Sequence, residues 1–74
     1  MCRSIQTLRR PDNRTTQEEI EAAALQFVRK VSGYRKPSRL NQAAFEQAVA
    51  QVSAATSTLL AELGVKLEIQ EVNV

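Results

Sequence analysis

The sequence predicts a mainly α protein: an antiparallel two-helix hairpin with an extended N-terminal arm and a short C-terminal β-strand. Three observations carry that prediction. A capping box, Thr16 with Glu19, opens an apolar stripe of helical period that closes at Gly33. A second apolar seam, of heptad spacing, runs from Phe45 to Leu63 and closes at Gly64. The connector between them, residues 33–38, is short enough to demand an antiparallel return. The 74 residues form one small domain, and its 43% apolar content includes ten alanines, so the core is thin. A chain of this length buries only roughly 60–65% of its unfolded surface, which makes marginal stability or self-association the expectation.

Residues 1–16 read as an arm anchored by Ile5 and Leu8, with turn chemistry at Pro11-Asp12-Asn13. The first helix spans 17–32. Glu18, Glu19 and Glu21 suit the positive end of its dipole, and Arg29 and Lys30 suit the other end. Ile20, Ala24, Phe27, Val28 and Val31 form its buried stripe, and Gly33 supplies a left-handed C-terminal residue. Lys36 precedes Pro37 and is steered away from helical geometry. Ser38 is then the natural N-cap of a second helix over 39–63, with Asn41 as the competing choice. Phe45, Val49, Val52, Thr56, Leu59 and Leu63 make the seam, which Ala44, Ala48 and Ala55 widen. Thr56 inside it is suited either to bond its own helix or to set a partner's register. Val65, Leu67 and Ile69 alternate with Lys66, Glu68 and Gln70, the pattern of a strand over 65–70.

The helix lengths, roughly 24 Å and roughly 37 Å, bring the first helix only as far as Ala54. Leu59, Leu60 and Leu63 then lack a partner from it. The arm and the tail, paired with each other, or a second chain must cover them. Self-association through these three leucines follows as an expectation.

Charge is uneven. Residues 1–40 carry nine basic and four acidic side chains, net +5, whereas residues 41–74 carry one basic and four acidic, net −3. The strip from Arg29 to Arg39 holds five cations (Arg29, Lys30, Arg35, Lys36 and Arg39), one aromatic ring (Tyr34) and no acid. With Ser38 and a helix N-terminus beside it, that composition suits phosphate or nucleic acid, and Tyr34 offers a stacking face. Arg9, Arg10 and Arg14 form a separate, secondary patch towards the other end. The plainer reading of the strip is a solvated turn whose cations favour the C-terminus of the first helix.

Several chemistries are excluded. The chain has no histidine and a single cysteine, so His-based triads, zinc fingers and internal disulfides are absent. Cys2 is a thiol beside Arg3 and the only nucleophile of note; a lone thiolate is a poor transition-metal site, and packing is its simpler role. Glu46 and Glu62 stand more than four turns apart on one helix, too far to cooperate as acid and base. The reading is therefore no enzyme, no cofactor and no metal. Met1–Arg10 lacks the apolar run of a signal peptide and no stretch is long enough to span a bilayer, so the chain reads as cytoplasmic with no membrane partner.

The opening Met1-Cys2-Arg3-Ser4-Ile5, the stretch from Ala22 to Ser38, and Asn41, Ala44-Phe45 and Ala48-Val49 together resemble a family of small bacterial proteins, domain of unknown function 2277. The resemblance covers residues 1–63 and leaves the tail from Gly64 outside; Leu40 and Gln42 stand where the family pattern has Ala and Glu. It implies a bacterial, soluble protein with no established activity and no catalytic residue. The function expected is a non-enzymatic interaction or oligomerisation module, acting as a homodimer or within a larger protein assembly. A nucleic-acid- or phosphate-binding accessory protein using the basic hairpin tip is the alternative, and a thiol or metal protein using Cys2 the third reading.

Overall fold

The computed structural model describes residues 4–68. Cys2, and Ile69 and Gln70 of the expected strand, lie outside the described residues. The elements run β1 (Arg14–Thr16), α1 (Gln17–Ser32), α2 (Gln42–Glu62) and β2 (Lys66–Glu68). The protein is mainly helical, with α1 packed on α2 and the two strands paired in parallel, Arg14 opposite Lys66 and Thr16 opposite Glu68.

α1 keeps the expected bounds because its ends are chemically specified. Thr16 is extended (φ −111°, ψ 156°), its hydroxyl accepts from the Glu19 N–H at 3.1 Å, and the Glu19 carboxylate accepts from the Thr16 N–H at 3.0 Å. At the far end Gly33 is left-handed (φ 79°) and its N–H donates to the Arg29 carbonyl at 2.9 Å. Each end of the helix thus has at least one of its orphan backbone groups partnered. Ile20, Ala24 and Val28 are buried. Phe27 and Val31, expected in the same stripe, are instead 48% and 70% exposed: they lie on the flank of α1 that is turned away from the buried Ile20, Ala24 and Val28.

α2 starts three residues later than expected. Ser38 does not cap it; its carbonyl accepts the Asn41 N–H at 3.1 Å, closing a turn before the helix begins. Asn41 occupies the cap position without a side-chain capping bond, and its Nδ2 donates to the Tyr34 hydroxyl at 3.0 Å. The connector thereby lengthens to residues 33–41 and carries α1 further along α2, so that Ile20 reaches Leu60. At the other end of the pair, Val28 and Ser32 line a hollow with Ala44, Phe45 and Ala48.

The C-terminal end of α2 is a Schellman motif. Gly64 (φ 89°) donates its N–H to the Ala61 carbonyl at 3.0 Å, and Val65 donates to the Leu60 carbonyl at 2.9 Å. Val65 and Leu60 also share the apolar contact that accompanies this motif. The reversal sends β2 back in the direction of β1, which explains the parallel pairing. The N-terminal arm is therefore more than extended: the turn at Pro11–Asp12, closed by the Asn13 N–H on the Arg10 carbonyl at 2.8 Å, delivers its last three residues as a strand.

The core lies where four segments meet. Leu8 from the arm, Ile20 from α1, Leu60 from α2 and Val65 after the reversal form one buried cluster. The heptad seam is only partly right. Phe45, Val49, Val52 and Thr56 are half-buried, whereas Leu59 and Leu63 are 55% and 46% exposed and Leu60 takes the inward place. A straight helix drifts by about 20° per heptad, so over its length the packed face moves from the 45–49 side to Ser53 and Leu60.

Candidate functional site

The basic end of the molecule is built by the α1 C-terminus and the connector. Arg29 and Lys30 stand in the last turn of α1, and Arg35, Lys36, Ser38 and Arg39 follow in the connector, all exposed. Among the described residues none of these five cations has a carboxylate within ion-pairing distance; the two ion pairs found, Arg10–Glu19 and Arg14–Glu68, are elsewhere. Tyr34 is less free than its place in the sequence implies. Its N–H donates to the Ser32 hydroxyl at 3.1 Å and its hydroxyl accepts from Asn41, which holds it along the hollow lined by Ala44 and Phe45. Lys36 and Pro37 line a different hollow of about 390 Å³ with Gln42, Glu46 and Val49. Phe45 borders both. The structure thus gathers the cations at one end but sets Tyr34 and Lys36 on opposite sides of Phe45. The helix start at Gln42 also moves the unbonded first-turn amides away from Ser38–Leu40.

The secondary basic patch largely dissolves. Arg10 forms a two-pronged pair with Glu19, with Nη1 to Oε1 at 3.0 Å, and Arg14 donates to Glu68 at 3.2 Å. Arg9 alone keeps no carboxylate partner among the described residues. Glu19 is the most heavily bonded side chain described: besides Arg10 it accepts from the Thr16 N–H and, at 3.1 Å, from the Thr15 hydroxyl. The Arg10 guanidinium first, and then the Thr16 N–H, hold its carboxyl down from 4.5 to about 2. Sequence reasoning found the capping half of this cluster and missed Arg10. The signal was the turn at residues 11–13, which folds position 10 back over the first turn of α1.

At the same end lies the apolar surface. Leu60 is buried (7%) by Leu8, Ile20 and Val65, so it is not available for self-association as expected. Leu59 remains open and lines a cleft of about 310 Å³ together with Ile5, Leu8, Phe27, Val52 and Thr56. The arm wall of this cleft is fastened by Gln26, whose Oε1 accepts from the Ser4 and Ile5 N–H groups at 2.8 and 3.1 Å. No sequence pattern announces Gln26, because a glutamine on a helix face is ordinary until the arm crosses it. Thr56 bonds its own helix, Oγ1 to the Val52 carbonyl at 2.7 Å, which accounts for its place in the seam without a partner helix.

The remaining polar groups are mostly explained locally. Glu21 accepts from Gln17 at 3.1 Å and Glu46 from Gln42 at 2.9 Å, each one helical turn away. Ser53 Oγ is buried without a partner among the described residues. Within the same residues no three His, Cys, Asp or Glu side chains gather into a group, and neither helix is long and apolar enough to cross a membrane.

No curated protein and no solved structure matches the chain. The family match does, and it runs over residues 1–72, so the tail after Gly64 that the sequence reading left outside belongs to the pattern as well. With β2 in that tail pairing the strand that enters α1, the family match takes in every element of the described fold. The chain belongs to the domain of unknown function 2277 family of uncharacterized conserved proteins.

Proposed function

We propose that this chain is a non-enzymatic interaction or oligomerisation module. The observation that carries the reading is the contiguous apolar surface around one cleft, where Ile5, Phe27 and Leu59 are 41%, 48% and 55% exposed while six apolar side chains are buried among the described residues. A small domain that leaves comparable side chains outside as inside gains stability by covering them. The partner is a second copy or a larger protein assembly. Capture on the immobilised chain, with and without nuclease, is the test, beside Leu59→Ser with Phe27→Ser as the control. Recovery of a defined protein partner that the double variant loses supports the reading. A chain that recovers nothing and sediments as a monomer at every concentration overturns it.

A second reading is favoured by the unpaired cations. Arg29, Lys30, Arg35, Lys36 and Arg39 share one end of the molecule, and none has a carboxylate within ion-pairing distance among the described residues. Five such charges suit a polyanion, and binding of that kind weakens steeply with salt whereas apolar association does not. Anisotropy of labelled oligonucleotides across a salt series separates the two readings.

A further inference from the structure

β2 is paired on one side only among the described residues, where the sheet is two-stranded. The Lys66 N–H donates to the Asn13 carbonyl at 2.7 Å, so Lys66 turns its backbone groups towards β1. Successive strand residues address opposite edges, and Leu67 therefore presents its N–H and C=O outward. Within the chain, Lys66 stands directly opposite Arg14, whose guanidinium pairs with Glu68 at 3.2 Å, and Lys66 itself has no carboxylate within ion-pairing distance among the described residues. Leu67 is 41% exposed and, with Val65, borders a hollow of about 250 Å³ whose α2 wall is made of Ser57, Thr58, Leu60 and Ala61.

We propose that β2 pairs edge to edge, antiparallel, with β2 of a second copy on a two-fold axis at Leu67, making a four-stranded sheet in the order β1-β2-β2-β1. The inference rests on the interaction-module reading and names its partner and its contact. On that axis the two Leu67 residues exchange both backbone hydrogen bonds, as an antiparallel hydrogen-bonded pair does. The same register sets Lys66 of each copy opposite Glu68 of the other, so both cross-strand positions flanking the axis carry opposite charges. A two-fold centred on Lys66 or on Glu68 would instead oppose that residue to itself, and the charge pattern selects the Leu67 register alone. Glu68 of the second copy supplies the carboxylate that Lys66 lacks among the described residues of its own chain. Each Leu67 side chain meets its counterpart at the mouth of the hollow. The contact is self-complementary, closes on itself and removes an open strand edge.

The test is sedimentation of the full chain across a concentration series, with three variants. Lys66→Glu alone and Glu68→Lys alone each create two like-charge oppositions and should weaken the dimer roughly ten-fold. Mixed in equal amounts, these two variants restore opposite charges at both positions and should associate with each other as the wild type does. Leu67→Pro removes the outward N–H while sparing the Lys66 bond to β1, and should give a monomer of unchanged helicity. A wild type that stays monomeric at high micromolar concentration overturns the proposal, and the capture experiment then decides the broader reading independently. A dimer indifferent to both charge reversals and to Leu67→Pro also overturns it, while leaving the interaction module standing on another surface.

Discussion

Arg10 and Glu19 form a two-pronged ion pair that ties the N-terminal arm to the first turn of α1, and the same carboxylate completes the capping box with Thr16. Both side chains are about one-third exposed (33% and 32%). One residue therefore does two jobs that belong to different levels of structure. Capping is local and needs only residues three apart. The pair with Arg10 is tertiary and needs the turn that reverses the arm.

The stability of the fold should depend on pH through Glu19. Its folded-state value is depressed from 4.5 to about 2, so the stabilisation is present above about pH 4.5 and is lost as pH falls towards about 2. Exposure to solvent limits its size. Thermal melts from pH 6 downwards should show the loss, and Glu19→Gln should be less stable at neutral pH with a flatter profile over the same window. A profile identical to the wild type would remove Glu19 from the account.

Thr16→Ala tests the local half of the cluster by itself. Loss of the N-cap hydroxyl should cost about 1 kcal/mol, read by denaturant titration, while Arg10 keeps its pair with Glu19.

Leu60 and Leu59 are neighbours in sequence with opposite environments, 7% and 55% exposed. Leu60→Ala should cost about 2–5 kcal/mol, enough to unfold much of a chain this small. Leu59→Ala should cost well under about 1 kcal/mol in the monomer. Equal losses would mean that the packed face of α2 follows the heptad seam after all.

Gln26 fastens the arm through two backbone N–H groups, those of Ser4 and Ile5. Gln26→Ala should accelerate amide exchange at these two positions and leave the protection of α1 and α2 nearly unchanged. Protection at Ser4 and Ile5 that survives the substitution would show that Leu8 alone anchors the arm.

Gly64 adopts φ 89° with nothing near an added Cβ, so any penalty of substitution comes from backbone conformation. Gly64→Ala should destabilise by about 1 kcal/mol, with Gly64→Asn milder. Equilibrium unfolding of the two variants measures the order, and an alanine variant as stable as the wild type would contradict the left-handed assignment.

The connector bears on the anion-binding reading. Arg35→Glu with Lys36→Glu should abolish oligonucleotide binding at low salt while helicity stays intact, because neither residue lies in a helix. Binding that survives the double reversal, or none by the wild type, removes that reading.

What the sequence alone determined is the set of element ends marked by a capping box or a left-handed glycine. The capping box and Gly33 bound α1 to the residue, Gly64 ends α2 within a residue, and alternation marks the strand after it. Tertiary structure decided the rest. α2 starts at Gln42, after a connector whose last turn closes with the Asn41 N–H on the Ser38 carbonyl and is tied to Tyr34 through Asn41 Nδ2. Leu60 rather than Leu59 points inward because the packed face of a helix drifts from a strict heptad and because Leu8 and Val65 arrive to cover it. The parallel pairing of β1 with β2, fifty-two positions apart in register, follows from the two turns at residues 11–13 and 63–64 acting together. Such contacts depend on how two reversals combine in space, and that sum is not written in any one stretch of the chain.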